Sequence, residues 1–140
     1  MAIGNPCVII NAEIDLSVAA IANVTGIAVA YFTLQEVYVN IANVPLPGGL
    51  EPEQYVRQLW LAIEVATRDW TPDAIIVSAG FDAMAGDPLG GFTLQPRHYR
   101  VLTERLRERM PATPILGTLE GGYLPGRLAK GAAAFVSALG

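Results

Sequence analysis

After residue 50 the sequence alternates between helix patterns and short apolar runs, and this alternation limits the folds open to the chain. EPEQYVRQLWLAIEVATRDW, residues 51–70, begins with an acidic residue and a proline and then repeats apolar residues at helical spacing, which predicts a helix that Pro72 ends. Residues 74–79 are almost wholly apolar, as expected of a strand buried on both faces. The segments LQPRHYRVLTERLRERM, TPILGTLEGGY and LPGRLAKGAAAFVSALG repeat the pattern as helix, strand and helix. This order predicts an α/β fold, with a parallel sheet and flanking helices.

Polar side chains follow both predicted strands, in loops rich in glycine. Asp82 and Asp87 lie in SAGFDAMAGDPLGG, and Tyr123 follows the Glu-Gly-Gly of the second loop. In an open parallel sheet, functional residues collect beyond the carboxyl ends of the strands. We therefore expect Asp82 and Tyr123 to lie at the same edge of the sheet.

The residues by themselves leave the roles of these side chains open. Two carboxylates in one loop could ligate a cation, but either could also cap a helix or brace the loop. Bracing is the favoured interpretation for Asp87, which precedes a proline, whereas for Asp82 the two roles are balanced. The Tyr123 hydroxyl could donate a hydrogen bond to a developing negative charge, or the side chain could anchor the last helix.

The first fifty residues give weaker signals. CVIINAEI and EVYVNIANVPLPGG resemble strands, and SVAAIANVTGIAVAYFTLQ between them fits a helix or a strand equally well. The uncharged stretch from Leu16 to Gln35 is interrupted by asparagine, threonine and glycine. We therefore do not expect this stretch to enter a membrane.

Composition and charge argue against several classes of function. The net charge is −4 and no block is rich in lysine or arginine, which argues against non-specific binding to nucleic acid. Cys7 is the single cysteine, so no intramolecular disulfide can form, and no basic region precedes the first apolar run as in a signal peptide. Both observations lead us to expect a cytoplasmic protein. His98 is the single histidine, which excludes any site built from two imidazoles of this chain.

Four ordered motifs carry a resemblance to a known family. VPLPGG, PDAIIVSAGFDA, GDPLGG and LEGGY resemble the C-terminal half of the zinc-dependent histone deacetylases, a family that includes acetylpolyamine amidohydrolases and acetoin-utilisation proteins. The resemblance covers about residues 38–140, and residues 1–37 are divergent. It implies a single deacetylase-like domain over residues 1–140, with part of an arginase-like and deacetylase-like three-layer fold.

The resemblance also implies a chemistry for the loop residues. This family holds zinc with two aspartates and one histidine at the carboxyl edge of the strands, and Asp82 matches the second aspartate. Tyr123 matches the tyrosine that hydrogen-bonds to the substrate carbonyl, a donor worth about 3 kcal/mol to the oxyanion. The implied cofactor is Zn²⁺, which polarises the acetyl carbonyl and lowers the pKa of a bound water. The implied substrates are acetylated lysine and acetylated polyamines.

The chain departs from the family pattern in its N-terminal half. The family's histidine pair and its zinc-ligating histidine have no counterpart, and His98 falls in the helix after GDPLGG, where we expect a surface or boundary position. Within AEIDLSV, Asp15 would match the first zinc aspartate, and Ser17 would stand in place of the histidine. Alternation would put both residues on one face of a strand, together with Glu13. As an isolated monomer, the chain is expected to lack efficient deacetylase activity.

Three hypotheses about function remain. The chain could be a zinc amidohydrolase, including one part of a split enzyme, or it could keep the fold without the metal and act as a structural module. In the third, residues 1–37 are a foreign segment, and the product is a self-associating stabiliser, because half a sheet leaves edges and apolar faces uncovered. The expected partner is a second copy or a complementing chain rather than nucleic acid or a membrane.

Overall fold

The computed structural model of the chain contains five strands and three helices in its described part, residues 7–11, 26–30, 39–69 and 71–140. Helices and strands alternate after residue 50, as predicted. The strands are β1 (Cys7–Asn11), β2 (Gly26–Ala30), β3 (Val39–Asn43), β4 (Ala74–Ala79) and β5 (Ile115–Leu119). The helices are α1 (Pro52–Ala66), α2 (Pro96–Arg109) and α3 (Pro125–Leu139). None of these helices is long and apolar enough to cross a bilayer.

Three of the strands form a parallel sheet in the order β1–β4–β5. The register places Asn11 beside Ser78 and Ala79 beside Leu119, so the three strands end at the same edge of the sheet. β2 and β3 form a separate antiparallel pair. The predicted α/β fold, with a parallel sheet and flanking helices, is confirmed.

The three helices pack on one face of β4, because alternate residues of a strand point to the same side. Ile75 lies in a buried cluster with side chains of α1 and α2, and Ala79 lies in a second cluster with Phe135 of α3. Val77 contacts both clusters. Gly117 of β5 faces the same layer, since a Cβ there would lie 2.5 Å from the Phe135 ring.

β5 is more exposed than β4. Leu116 and Leu119 are 60% and 62% exposed, whereas Ile75 on β4 is fully buried. Within the described ranges, β4 is the one strand that pairs with β5. β5 therefore forms an edge of the described sheet.

Candidate functional site

The loops that follow β4 and β5 are bonded to each other at the carboxyl edge of the sheet. The N–H of Phe81 donates to the carbonyl of Gly121 at 2.7 Å, and the N–H of Glu120 donates to the carbonyl of Ala79 at 3.1 Å. Because these bonds continue the parallel pairing beyond the strands, Asp82 is held beside the second loop. The Asp82 side chain is 4% exposed there.

The two glycines of the second loop make room for this arrangement. A Cβ on Gly121 would lie 2.7 Å from Oδ2 of Asp82, so the carboxylate packs against a backbone that has no side chain. Gly122 has a φ of +136°, in the region that favours glycine. A Cβ on Gly122 would also lie 2.8 Å from Leu128.

Asp87 is a brace within and between the two loops. Its Oδ1 accepts hydrogen bonds from the N–H of Leu89 at 2.9 Å and of Gly90 at 3.2 Å. Its Oδ2 accepts a hydrogen bond from the N–H of Tyr123 at 2.7 Å. The interpretation of Asp87 as a loop brace, favoured from the sequence, is confirmed.

Tyr123 lies between the end of β5 and the start of α3, with its main chain fixed by Asp87 and its side chain 43% exposed. The prediction that Asp82 and Tyr123 occupy the same edge of the sheet is confirmed by the register of β4 and β5 and by the bonds between their loops. The edge thus presents a buried carboxylate and an accessible phenol.

Tyr99 of α2 lies behind this edge, at a position to which the sequence assigned no role. Its ring is 4.8 Å from the ring of Phe81, and its hydroxyl is buried without a hydrogen-bond partner among the described residues. Burial raises the pKa of Tyr99 well above 10.0, and the electrostatic influence of Tyr55, Asp82 and Asp87 raises it further. The hydroxyl therefore stays protonated. What distinguishes this hydroxyl is that it has no partner among the described residues, which no sequence pattern shows.

The expectation of a surface or boundary position for His98 is wrong, because the residue is 5% exposed. Its Nδ1 accepts a hydrogen bond from the N–H of Gln95 at 2.9 Å, which closes the first turn of α2. Its Nε2 lies 3.4 Å from Oε1 of Glu53. Burial and the charge of Arg97 lower the pKa of His98 from 6.5, against the opposing effect of Glu53. His98 therefore caps the N-terminal end of α2 by accepting the hydrogen bond from Gln95.

The described residues do not form a zinc site. Among them, no three side chains of His, Cys, Asp or Glu are grouped to hold a metal ion. Catalytic zinc takes three protein ligands, usually with nitrogen or sulfur among them, and Asp82 supplies one carboxylate. Glu13, Asp15 and Ser17, the remaining residues considered from the sequence, lie outside the described residues.

Comparison with known proteins extends the similarity over most of the chain. The sequence model of the histone deacetylase domain matches residues 28–139. Histone deacetylase 18 of Arabidopsis thaliana is 40% identical over 99 residues, which cover 69% of this chain and 14% of that protein.

Solved structures show the same similarity in three dimensions. The HDA15 HD domain aligns with a TM-score of 0.63 and 32% identity, over 70% of this chain and 28% of that chain. The acetylpolyamine aminohydrolase from Burkholderia pseudomallei aligns with a TM-score of 0.60 and 26% identity, over 71% of this chain and 28% of that chain. The chain thus spans less than a third of these relatives. With the shared fold and the matched domain, this chain belongs to the histone deacetylase family.

Proposed function

We propose that this chain is a deacetylase-like amidohydrolase domain that supplies Asp82 and Tyr123 to a site for acetylated lysine or acetylated polyamines. The observation that carries the proposal is the placement of both residues at the carboxyl edge of β4 and β5, in loops bonded to each other. The names of its relatives, histone deacetylases and an acetylpolyamine aminohydrolase, support an acetylated amine as substrate.

Tyr123 is proposed as the donor to the substrate carbonyl. Its exposed phenol is open to a molecule that arrives from solvent, while its main chain is fixed by Asp87. When an amide carbonyl is attacked, its oxygen gains negative charge, which a fixed O–H donor stabilises. Removal of such a donor typically lowers kcat by about 10² to 10³.

Asp82 is proposed as one carboxylate ligand of the metal on which this family generally depends. The other ligands would have to come from residues outside the described ranges or from another chain. A proton acceptor would also have to come from elsewhere, because both nitrogens of His98 face Gln95 and Glu53. We therefore expect no efficient turnover from the chain alone.

Two measurements test this proposal. Metal content and hydrolysis of a fluorogenic acetyl-lysine amide are measured for the purified chain, with and without added zinc. Residues 44–139 are then grafted in place of the corresponding segment of the HDA15 HD domain. We expect turnover from the folded chimaera, complete loss in Asp82→Ala and a decrease of about 10² in Tyr123→Phe.

Asp73→Ala, at an exposed position before β4, provides the matched control and should leave turnover unchanged. Circular dichroism establishes that each variant is folded. A folded chimaera that hydrolyses the amide equally well with Ala at position 82 would overturn the proposed role of Asp82. A folded chimaera with its metal but without turnover would overturn the proposed function.

The exposed edge of the sheet favours a second candidate function, that of a self-associating module. Leu116 and Leu119 on β5, and Val136 on α3, are each 60% exposed or more. An uncovered strand offers unpaired N–H and C=O groups to another extended chain. This function needs neither metal nor substrate, so it predicts association by a chain without hydrolytic activity.

A further inference from the structure

Asp87 connects two parts of the site that are far apart in the sequence. Two of its hydrogen bonds are local, to the N–H groups of Leu89 and Gly90 two and three residues later. The third, to the N–H of Tyr123, spans 36 residues and is the shortest of the three at 2.7 Å. Asp87 is 9% exposed, and bonds between a charged acceptor and N–H groups are stronger than neutral ones.

The bond to Tyr123 acts at a point where the main chain has conformational freedom. Gly121 is fixed through its carbonyl by Phe81, and Tyr123 is fixed through its N–H by Asp87. Between them lies Gly122, whose φ of +136° is available to glycine at low cost. The direction in which the chain leaves Gly122, and with it the placement of the Tyr123 phenol, therefore depends on the Asp87 bond.

We propose that Asp87 is a positioning residue for Tyr123, which fixes the phenol relative to Asp82 through the Tyr123 main chain. This inference rests on the proposed function for its catalytic consequence. The bond itself exists whether or not the chain is an enzyme. Asp87 touches neither substrate nor metal in this proposal, because its oxygens are directed at three backbone N–H groups.

A single substitution separates the two halves of this brace. In Asp87→Asn the amide oxygen can still accept from Leu89 and Gly90, whereas the amide nitrogen faces the N–H of Tyr123 as donor against donor. This variant should therefore keep the local turn and lose the bond to the second loop. Asp87→Ala removes all three hydrogen bonds and so shows the effect of losing both the local turn and the bond to the second loop. Asp73→Asn, the same chemical change at an exposed position, is the control.

Amide hydrogen exchange on the full chain, measured by NMR, tests the positioning. In Asp87→Asn we expect the protection of the Tyr123 amide to fall by about tenfold or more, with the amides of Leu89 and Gly90 changed less than about threefold. In Asp87→Ala all three amides should lose protection, and in Asp73→Asn none should. An unchanged Tyr123 amide in Asp87→Asn would overturn the proposal. An equal loss at all three amides in that variant would also overturn it, since it would indicate general destabilisation.

A double-mutant cycle in the HDA15 chimaera tests the catalytic consequence. Asp87→Asn should lower kcat with little change in KM, and it should cause no further loss when Tyr123 is already Phe, because both changes remove the same hydrogen bond to substrate. If the two substitutions instead lower kcat by factors that multiply in the double variant, Asp87 does not act through Tyr123. If the chimaera is folded but inactive, the proposed function fails while the exchange result still decides whether Asp87 positions Tyr123.

Discussion

Asp82 can be buried at the edge of the sheet because the residue opposite it has no side chain. With a Cβ on Gly121 only 2.7 Å from Oδ2, any larger residue would push the carboxylate out of its position or move the loop. The Glu-Gly-Gly sequence shows that this loop is rich in glycine. It did not show which group the glycines face, because that group comes 39 residues earlier in the chain.

His98 gives the folded chain a dependence on pH. Its pKa is lowered from 6.5 in the folded chain, chiefly by burial, so below about pH 6.5 the unfolded chain binds the proton more readily than the folded chain does. We therefore expect the free energy of unfolding to fall as pH decreases below about 6.5, by at most about 1.4 kcal/mol per pH unit for one proton. Urea unfolding followed by circular dichroism measures this slope.

His98→Asn removes the titration and keeps an acceptor for the N–H of Gln95. Its stability should vary less between about pH 6.5 and about pH 5 than that of the natural chain, with equal slopes above about pH 7. The groups that face the imidazole are Arg97 and Glu53, and the pKa of Glu53 lies below 4.5, so both keep their charge over this range. Identical slopes in the two proteins below pH 6.5 would show that His98 does not carry the effect.

At the scale of the element, the sequence predicts the regular parts well and their ends less well. The apolar run predicts β4 with the bounds that the structure shows, Ala74–Ala79. The helix predicted to continue to Trp70 and to stop at Pro72 instead ends at Ala66. There the hydroxyl of Thr67 donates to the carbonyl of Ile63 at 2.8 Å and accepts from Arg109 of α2 at 3.0 Å. Since Arg109 is 42 residues away in the sequence, no local pattern could show this end.

The candidate site, too, was predictable from the sequence only in part. The alternation of helices and strands was enough to place Asp82 and Tyr123 at one edge, because parallel strands end together. The bond between Asp87 and the N–H of Tyr123 was not predictable, because its two groups meet only once the loops fold over each other. The burial of His98 was missed for a related reason, since it depends on how the side chain turns back onto Gln95.

α3 approaches the loop after β4 through Gly131. A Cβ on Gly131 would lie 2.5 Å from Cδ1 of Phe81 and 2.8 Å from Sδ of Met84, and both of these side chains are buried. Gly131→Ala should therefore lower the free energy of unfolding by about 1–3 kcal/mol, because the core is already filled. Chemical denaturation measures the change.

Gly126, in the first turn of the same helix, is the matched control. A Cβ there meets nothing within 4 Å, so Gly126→Ala should leave the stability unchanged or raise it by up to about 1 kcal/mol. Equal stabilisation by alanine at both positions would mean that α3 is not held against Phe81 as the structure shows.

At the scale of the whole molecule, the exposed edge of the sheet matters because this chain spans only 28% of the HDA15 HD domain chain and 14% of histone deacetylase 18. β5 has the sequence ILGTL, with no charged residue and no proline inside the strand. Native proteins usually protect such edges with lysine, proline or a covering element. β5 is therefore a described edge strand that can pair with another copy of the chain.

We expect the purified chain to associate in a concentration-dependent way, as measured by sedimentation velocity between about 1 and 100 μM, a range in which weak strand pairing is populated. Leu116→Lys places a charge on the exposed strand and should shift the chain to monomer. Leu61→Lys removes an equally exposed leucine, 58% against 60%, from α1 and should leave association unchanged. A chain that stays monomeric throughout, or two variants that reduce association equally, would exclude pairing through β5. Pairing without turnover would favour the structural module, whereas a monomer that becomes active in the chimaera would favour a complementing chain.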